Sequence, residues 1–504
     1  MMTIVRNTKL YAMLVAAAFS LTSCLDKVPG SAIPEEEALQ TYQEAEQFLT
    51  GIYASMMSGS LWSGYLTLVP EIQSDLAYAV EGYSNVYGNI WQWDIRPTNA
   101  EIEAIYGSLY SLIANCNFFL ERVDQIIAKQ TIDENIQALD YYKGEVYAIR
   151  ALCYSELIKC FCKAYDPATA QNELGVVLRT KYSTPESSRR ASLADSYALV
   201  LDDLQKAEEL LDVENDYYGA FYMTNASVCA LRARVALNMQ DWQTAIDYAT
   251  KLIDHPQDTF ALANANVAYT PQLSYFDYMW QHDQAFEIIW QVGFTPTSYG
   301  GALGSIFLNV TTDYTYYYPD YVPAQWVLDL YQSGDMRYNT YFATLPTGYD
   351  HALTWPLLVK YYGNKNFISS MIYHVSMPKP FRLAEQYLIR AEAYCRKGNY
   401  SAASADLSTL SQSRYQAGGG ISVNAGNWLQ TISDERVREL YMEGFRLHDL
   451  KRWGLGFEHT PQAMTQSEGS SLKISADNPL FVWPIPNHEV SAPGSQIQPN
   501  ESNR

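Results

Sequence analysis

Basic residues are scarce: 34 Lys+Arg stand against 55 Asp+Glu in 504 residues, a formal charge of −21. Binding to nucleic acid needs a cationic surface that releases counterions, so nucleic acid is set aside as a partner. Cysteine is also sparse, at seven. Cys160-Phe161-Cys162 is not a CxxC and has no histidine cluster beside it, and the seven histidines show no metal-ligand spacing, so no metal site is read. HExxH, GxSxG and the Walker A pattern are missing, and Gly418-Gly419-Gly420 is not followed by Lys-Ser/Thr. Neither an enzyme activity nor a cofactor is therefore expected. Beyond residue 24 no apolar run approaches the roughly 20 residues of a membrane span. No Pro/Ser-rich linker or charge block divides the chain, which points to one large domain over 24–504.

The N-terminus does carry a signal. Arg6 and Lys9 precede an apolar run from Leu10 to Leu21, the pattern of a secretory leader over residues 1–23. Leu21-Thr22-Ser23-Cys24 resembles the lipobox of bacterial lipoproteins, so Cys24 is expected to become an acylated first residue. Each buried CH₂ contributes about 0.8 kcal/mol, and several acyl chains hold a domain at a bilayer without a spanning helix. Loss of residues 1–23 would take the formal charge to −23. The six remaining cysteines, Cys116, Cys153, Cys160, Cys162, Cys229 and Cys395, lie mostly in apolar helical stretches and are expected to be buried and unpaired.

Two stretches share one helix-turn-helix pattern. Ala233, Ala236, Trp242, Ala245 and Ala249, closed by Pro256, match Ala391, Tyr394, Gly398, Tyr400, Ala403 and Leu407 at the small and aromatic positions of a tetratricopeptide-like unit. Small residues let paired helices approach, and the aromatic after the turn fills the space between hairpins. Residues 143–163 and 192–211 also have helical apolar spacing and predict a third unit with its own insertion. The expected fold is mostly α, with helical repeats over about 40–256 and 380–455. Residues 257–379 lose that period and are rich in Tyr, Pro, Gly and Asn, which predicts an ordered, loop-rich aromatic insertion. After Gly454 a Pro-rich extended segment closes the chain.

The C-terminal quarter holds the most specific pattern: DERVREL at 434–440, EGFRLHDLKRWG at 443–454 and FVWPIPNHE at 481–489. With YLIRAEA at 387–393, PAQW at 323–326 and DMR at 335–337, the chain resembles the SusD/RagB family of outer-membrane nutrient-binding lipoproteins. His448 departs from the aromatic residue more usual there. Residues 436–453 read as one helix with Leu440, Tyr441, Gly444 and Leu447 on its buried stripe. Charge pairs are expected at Glu435–Arg438, Arg436–Glu439 and Glu443–Arg446. Glu439 and Glu443 could be taken as a glycosidase carboxylate pair, but the surrounding arginines favour a structural ion-pair network.

The resemblance implies a lipid-anchored, surface-exposed outer-membrane protein that captures glycan and passes it to a SusC-like TonB-dependent transporter. A peptide-binding, RagB-like protein and a protein-binding adaptor are the alternatives. Sugar rings stack their C–H faces on aromatic rings, and two aromatic groups are candidates for that role. One is Tyr83, Tyr87, Asn89 and Trp91, with Trp93 read as core; the other is Trp280 with Tyr299, Tyr314, Tyr316, Tyr317 and Tyr318.

Overall fold

The computed structural model describes residues 37–182, 188–310, 315–349, 355–463, 465 and 472–503. Cys24 lies outside the described residues, as does Tyr314. The chain is mostly helical, and from α3 onward each helix packs on the next: α1 (Tyr42–Met56), α2 (Tyr65–Ile72), α3 (Ala100–Ile127), α4 (Asp133–Phe161), α5 (Leu193–Leu210), α6 (Asn225–Asn238) and α7 (Trp242–Ile253), with α1 and α2 both against α3. After an excursion containing α8 (Tyr275–His282) come α9 (Leu383–Arg396), α10 (Tyr400–Gln412), α11 (Trp428–Leu440) and α12 (Arg446–Trp453).

Local chemistry explains where these helices begin. Asn99 accepts from the Ile102 amide at the start of α3, Ser192 does so from Asp195 at α5, and Thr224 and Ser227 form a capping box at α6. The two repeat hairpins turn alike. Gln240 (φ 62°) and Gly398 (φ 76°) are both left-handed, and the next residue, Asp241 or Asn399, caps the following helix. Glycine takes that conformation freely, whereas a side chain there costs roughly 1–2 kcal/mol. This cost is why the Gln240 turn is the less recognisable of the two in sequence. Ala233, Ala236, Ala245 and Ala249 pack directly against Ile389 and Ala393, so the hairpins share one core across the intervening chain.

The insertion is tied to the scaffold by short antiparallel ladders. Phe381–Arg382 pairs with Ile288–Trp290 as the chain returns, and Tyr321–Pro323 pairs with Ala77–Ala79 after α2. Phe342–Thr344 pairs with Pro356–Leu358. A second apolar core joins these pieces, including Tyr78, Trp91, Trp280, Tyr321, Tyr341, Phe342 and Tyr441. The six cysteines from Cys116 onward are all buried and free. Trp483, fully buried, donates to Gln73 Oε1 at 2.7 Å and docks the closing segment.

The continuous helix expected over 436–453 is instead two. Helix α11 stops at Leu440, and Met442 (φ 62°) and Gly444 (φ 88°) carry the chain through a left-handed corner before α12. The Gly444 Cα lies against the α2 backbone, where an added Cβ would sit 3.4 Å from the Thr67 Cα. Only Glu435–Arg438 forms among the three local charge pairs, at 2.7 Å. Arg436 instead pairs with Asp449 and Arg446 with Asp75, because the corner redirects α12. Glu439 accepts from Arg337, Arg382 and Arg414 at 2.9–3.1 Å, and Glu443 from Lys360 at 2.6 Å and Arg382 at 2.8 Å. Burial opposes charge on Glu439, but Arg414, Arg382 and Arg337 outweigh it and hold the carboxyl well below its usual range. Both carboxylates are thus committed to buried ion pairs.

Candidate functional site

The aromatic residues singled out in sequence separate into interior and surface sets. Trp91 is 4% exposed, donates Nε1–H to the Ala77 carbonyl at 3.0 Å and stacks on His459. Trp280 is 3% exposed, with the Lys360 ammonium 4.2 Å from its ring centroid. Neither reaches the surface, so both are removed from the candidate platform. Their partners, His459 and Lys360, lie far away in sequence, and burial follows from those contacts. Trp93 is core, as read, and donates to the Gln73 carbonyl at 2.7 Å.

The surface set gathers where residues 315–318 meet residues 346–349 and 361–374. Tyr317 donates its amide to Pro346 O and its carbonyl accepts from Gly348 N, which locks this strip to the next loop. Tyr318 lies edge-on to Tyr349 at 5.2 Å. A Cβ on Gly348 would sit 2.3 Å from the Tyr318 ring, so glycine is what lets that ring lie flat on the loop. The Tyr349 hydroxyl donates to Pro319 O at 2.9 Å. Tyr317 and Tyr362 bring their hydroxyls to 3.3 Å, and Tyr362, 42% exposed, meets His374 edge-on. Tyr316 is 46% exposed beside them.

Tyr83 borders the same region. It is half-buried, edge-on to Tyr321 at 5.9 Å, and donates its hydroxyl to Asn85 Oδ1. Ser84 is fixed to Asp320 through both its amide and its hydroxyl. Tyr87 is half-buried against Tyr65 and Asn89 is exposed. Tyr299, 46% exposed, follows a tight turn at 295–298. That turn borders a separate apolar cleft of about 340 Å³ between α1 and Phe221, Tyr222 and Phe294. No ring contact among the described residues joins Tyr299 to the 316–318 strip.

The strip carries rings and hydroxyls and little charge. Asp320 is buried beneath it, and burial lowers the His374 pKa, which leaves that imidazole neutral at neutral pH. Burial and then the hydrogen bond to Tyr362 push the Tyr317 hydroxyl up to about 12, so it stays a donor. Such a surface suits a neutral, hydroxyl-rich ligand with apolar C–H faces. Tyr349 and Tyr362 were not singled out in sequence. The usable signal was the continuation of tyrosine density past Tyr318 into 349–373. Among the described residues no group of three His, Cys, Asp or Glu is placed to hold a metal ion, and no helix is long and apolar enough to cross a membrane.

The family model described as the SusD family matches residues 210–500, more than half of the chain. A second, described as starch-binding associating with outer membrane, matches 24–237. SusD-like protein P2 of Formosa agariphila is 24% identical, covering 96% of this chain and 98% of its own length. A SusD superfamily protein from Bacteroides thetaiotaomicron superposes with a TM-score of 0.76 at 22% identity, over 91% of this chain and 99% of that one. A SusD-like carbohydrate binding protein from Bacteroides vulgatus gives 0.67 at 19% identity, over 87% and 90%. These structural likenesses establish the shared fold.

Proposed function

Because the chain belongs to the SusD family, we propose that it captures glycan at the cell surface and delivers it to a SusC-like TonB-dependent outer-membrane transporter. Lipid on Cys24 holds it to the membrane in this reading. The observation that carries the glycan assignment is the strip of Tyr316, Tyr317, Tyr318, Tyr349 and Tyr362, exposed at Tyr316 and Tyr362 and half-buried at the other three, with few charged groups among its rings and hydroxyls. Tyr83 flanks the strip and completes the surface. Support comes also from the matching model's description as starch-binding and associating with outer membrane, and from the B. vulgatus carbohydrate binding protein of the same fold.

The test is retention on a panel of immobilised glycans by affinity electrophoresis, using the mature chain and the double variant Tyr317→Ala/Tyr362→Ala. Retention on at least one neutral glycan, lost in the variant at unchanged melting temperature, is expected. Binding of peptides in place of every glycan would move the peptide-uptake reading ahead. For anchoring, Cys24→Ala should leave the washed outer-membrane fraction while staying folded. Purification of the native lipoprotein from detergent-solubilised membranes should bring down a large barrel protein; a clean monomer would oppose delivery to a transporter.

A further inference from the structure

In a chain so rich in carboxylates, nearly every cation is engaged. Among the described arginines, Arg179 alone has no hydrogen bond, ion pair or ring contact from its guanidinium, and Lys181 is one of only two described lysines without a polar partner. Both line the same cleft of about 360 Å³, which is formed by α3, residues 177–182 and the C-terminal segment at 489–497. It lies apart from the tyrosine strip, and no residue of that strip contributes to it.

The backbone carrying these two cations is held with unusual care. The Tyr110 hydroxyl donates to the Val177 carbonyl at 3.0 Å and accepts from the Val177 amide at 3.1 Å. Two residues on, the Tyr154 hydroxyl does the same for Arg179, with both bonds at 2.7 Å. Buried Asn117 donates to the Arg179 carbonyl at 3.0 Å and to that of Lys181 at 3.4 Å, while its own oxygen accepts from Arg150. Three side chains from α3 and α4 thus satisfy this segment as a neighbouring strand would, and its side chains are left for other work. A fixed backbone under an unpaired Arg–Lys pair is the arrangement that preorganised anion recognition requires.

The rest of the lining narrows the ligand. Tyr106 and the exposed Tyr182 supply rings, and Ser111 and Glu489 supply hydroxyl partners. A carboxylate in the same cleft accepts hydrogen bonds from hydroxyls and repels a second negative charge, and the net charge of the chain repels polyanions in general. We propose that this cleft binds an acidic sugar, a saccharide unit with a single anionic substituent seated on Arg179 and Lys181 and its hydroxyls toward Ser111 and Glu489. The volume lies at the small end of the roughly 300–1,000 Å³ range of ligand clefts, enough for a terminal or branch unit.

Saturation-transfer NMR on the mature chain at low salt, with D-glucuronate and D-glucose as probes, tests this. Glucuronate should bind at least about tenfold more tightly than glucose, since a charge-assisted contact is at stake. Arg179→Gln should weaken it about fivefold or more and Lys181→Ala by less. The first side chain is half-buried and the second exposed, and the clamps from Tyr110, Tyr154 and Asn117 hold main-chain atoms, so the fold should survive; equal melting temperatures verify it. The double variant Tyr317→Ala/Tyr362→Ala should keep full glucuronate binding, which separates this site from the tyrosine strip. Equal binding of glucose, unchanged affinity in both cation variants, or displacement by acetate as effective as by glucuronate itself would each overturn the proposal.

Discussion

Arg337, Arg382 and Arg414 converge on Glu439 in the interior, where the insertion meets the helices, while the tyrosines of the strip rest on the outside of the insertion. The two regions use polar chemistry in opposite ways. In the centre Glu435, Glu439, Glu443 and Glu287 all accept from buried cations, so charges that resemble catalytic machinery in sequence are spent on one another. On the strip, Tyr317 and Tyr362 share a contact yet keep ring faces and hydroxyls in reach of solvent. Motif density therefore marks the part that holds the insertion to the helices. The binding surface has no motif, because rings that stack on a ligand need only be exposed and oriented.

The largest expected effect falls on the centre. Arg414→Met removes donors to Glu287, Glu439 and the Ala263 carbonyl and leaves buried carboxylates short of partners. Breaking a buried pair from one side costs about 3–5 kcal/mol. Urea unfolding should register that loss, with glycan affinity nearly unchanged under conditions where the variant is folded. Near-native stability would show that the network does not secure the insertion.

A second effect separates interior carboxylates by their pH response. Glu145, buried and bonded by the Tyr53 hydroxyl, is pushed up to about 8, with burial as the cause and Tyr53 opposing it. The folded protein therefore keeps a proton that the unfolded chain releases near 4.5. Because the native state binds more protons in this window, stability must fall as pH rises from about 4.5 to about 8, by up to about 1.4 kcal/mol per unit. Glu145→Gln is blind to that titration. Denaturation of both proteins at pH 5 and pH 8 should show the wild type losing more stability than the variant; parallel losses would place the titration elsewhere.

What could be read in the sequence follows the same division. Hairpin turns, caps and helical spacing are local, so the repeats around Trp242 and Tyr400 were legible, including the closing of α7 before Pro256. The corner at Met442–Gly444 was not, because Leu440, Tyr441, Gly444 and Leu447 keep helical spacing through a break imposed by packing on α2. Arg446 found Asp75 rather than Glu443 for the same non-local reason. Within the candidate site Tyr316, Tyr317 and Tyr318 were legible as a cluster. Trp91 and Trp280 were misplaced because His459 and Lys360 decide their burial. Tyr361 and Tyr362 are adjacent and chemically identical, yet one donates to the Met442 carbonyl from the core and the other is exposed.

Smaller effects belong to the strip. Tyr362→Ala removes an exposed ring and opens no cavity, so its melting temperature should stay within a degree or two while glycan affinity falls about fivefold, near 1 kcal/mol. Trp91→Ala should do the reverse, costing about 3–5 kcal/mol of stability as a truncated core aromatic. If the two variants behave alike in both assays, the contrast between interior and surface rings fails.

The smallest and most discriminating change is Tyr362→Phe. It keeps the ring and removes only the hydroxyl that lies 3.3 Å from that of Tyr317. Should the strip bind by stacking, affinity ought to change less than about twofold, because the apolar face offered to the ligand is intact. The Tyr317 hydroxyl, now without the partner that helps push it up to about 12, should titrate lower, which ultraviolet difference titration against the wild type would detect. If the hydroxyl pair itself grips the ligand, Phe should be as damaging as Ala, since a lost hydrogen bond to a sugar is worth about 0.5–1.5 kcal/mol. The ratio of the Phe to the Ala effect therefore reads how the surface divides its work between ring face and hydroxyl. A ratio near one would assign recognition to hydrogen bonding and leave the rings as spacers.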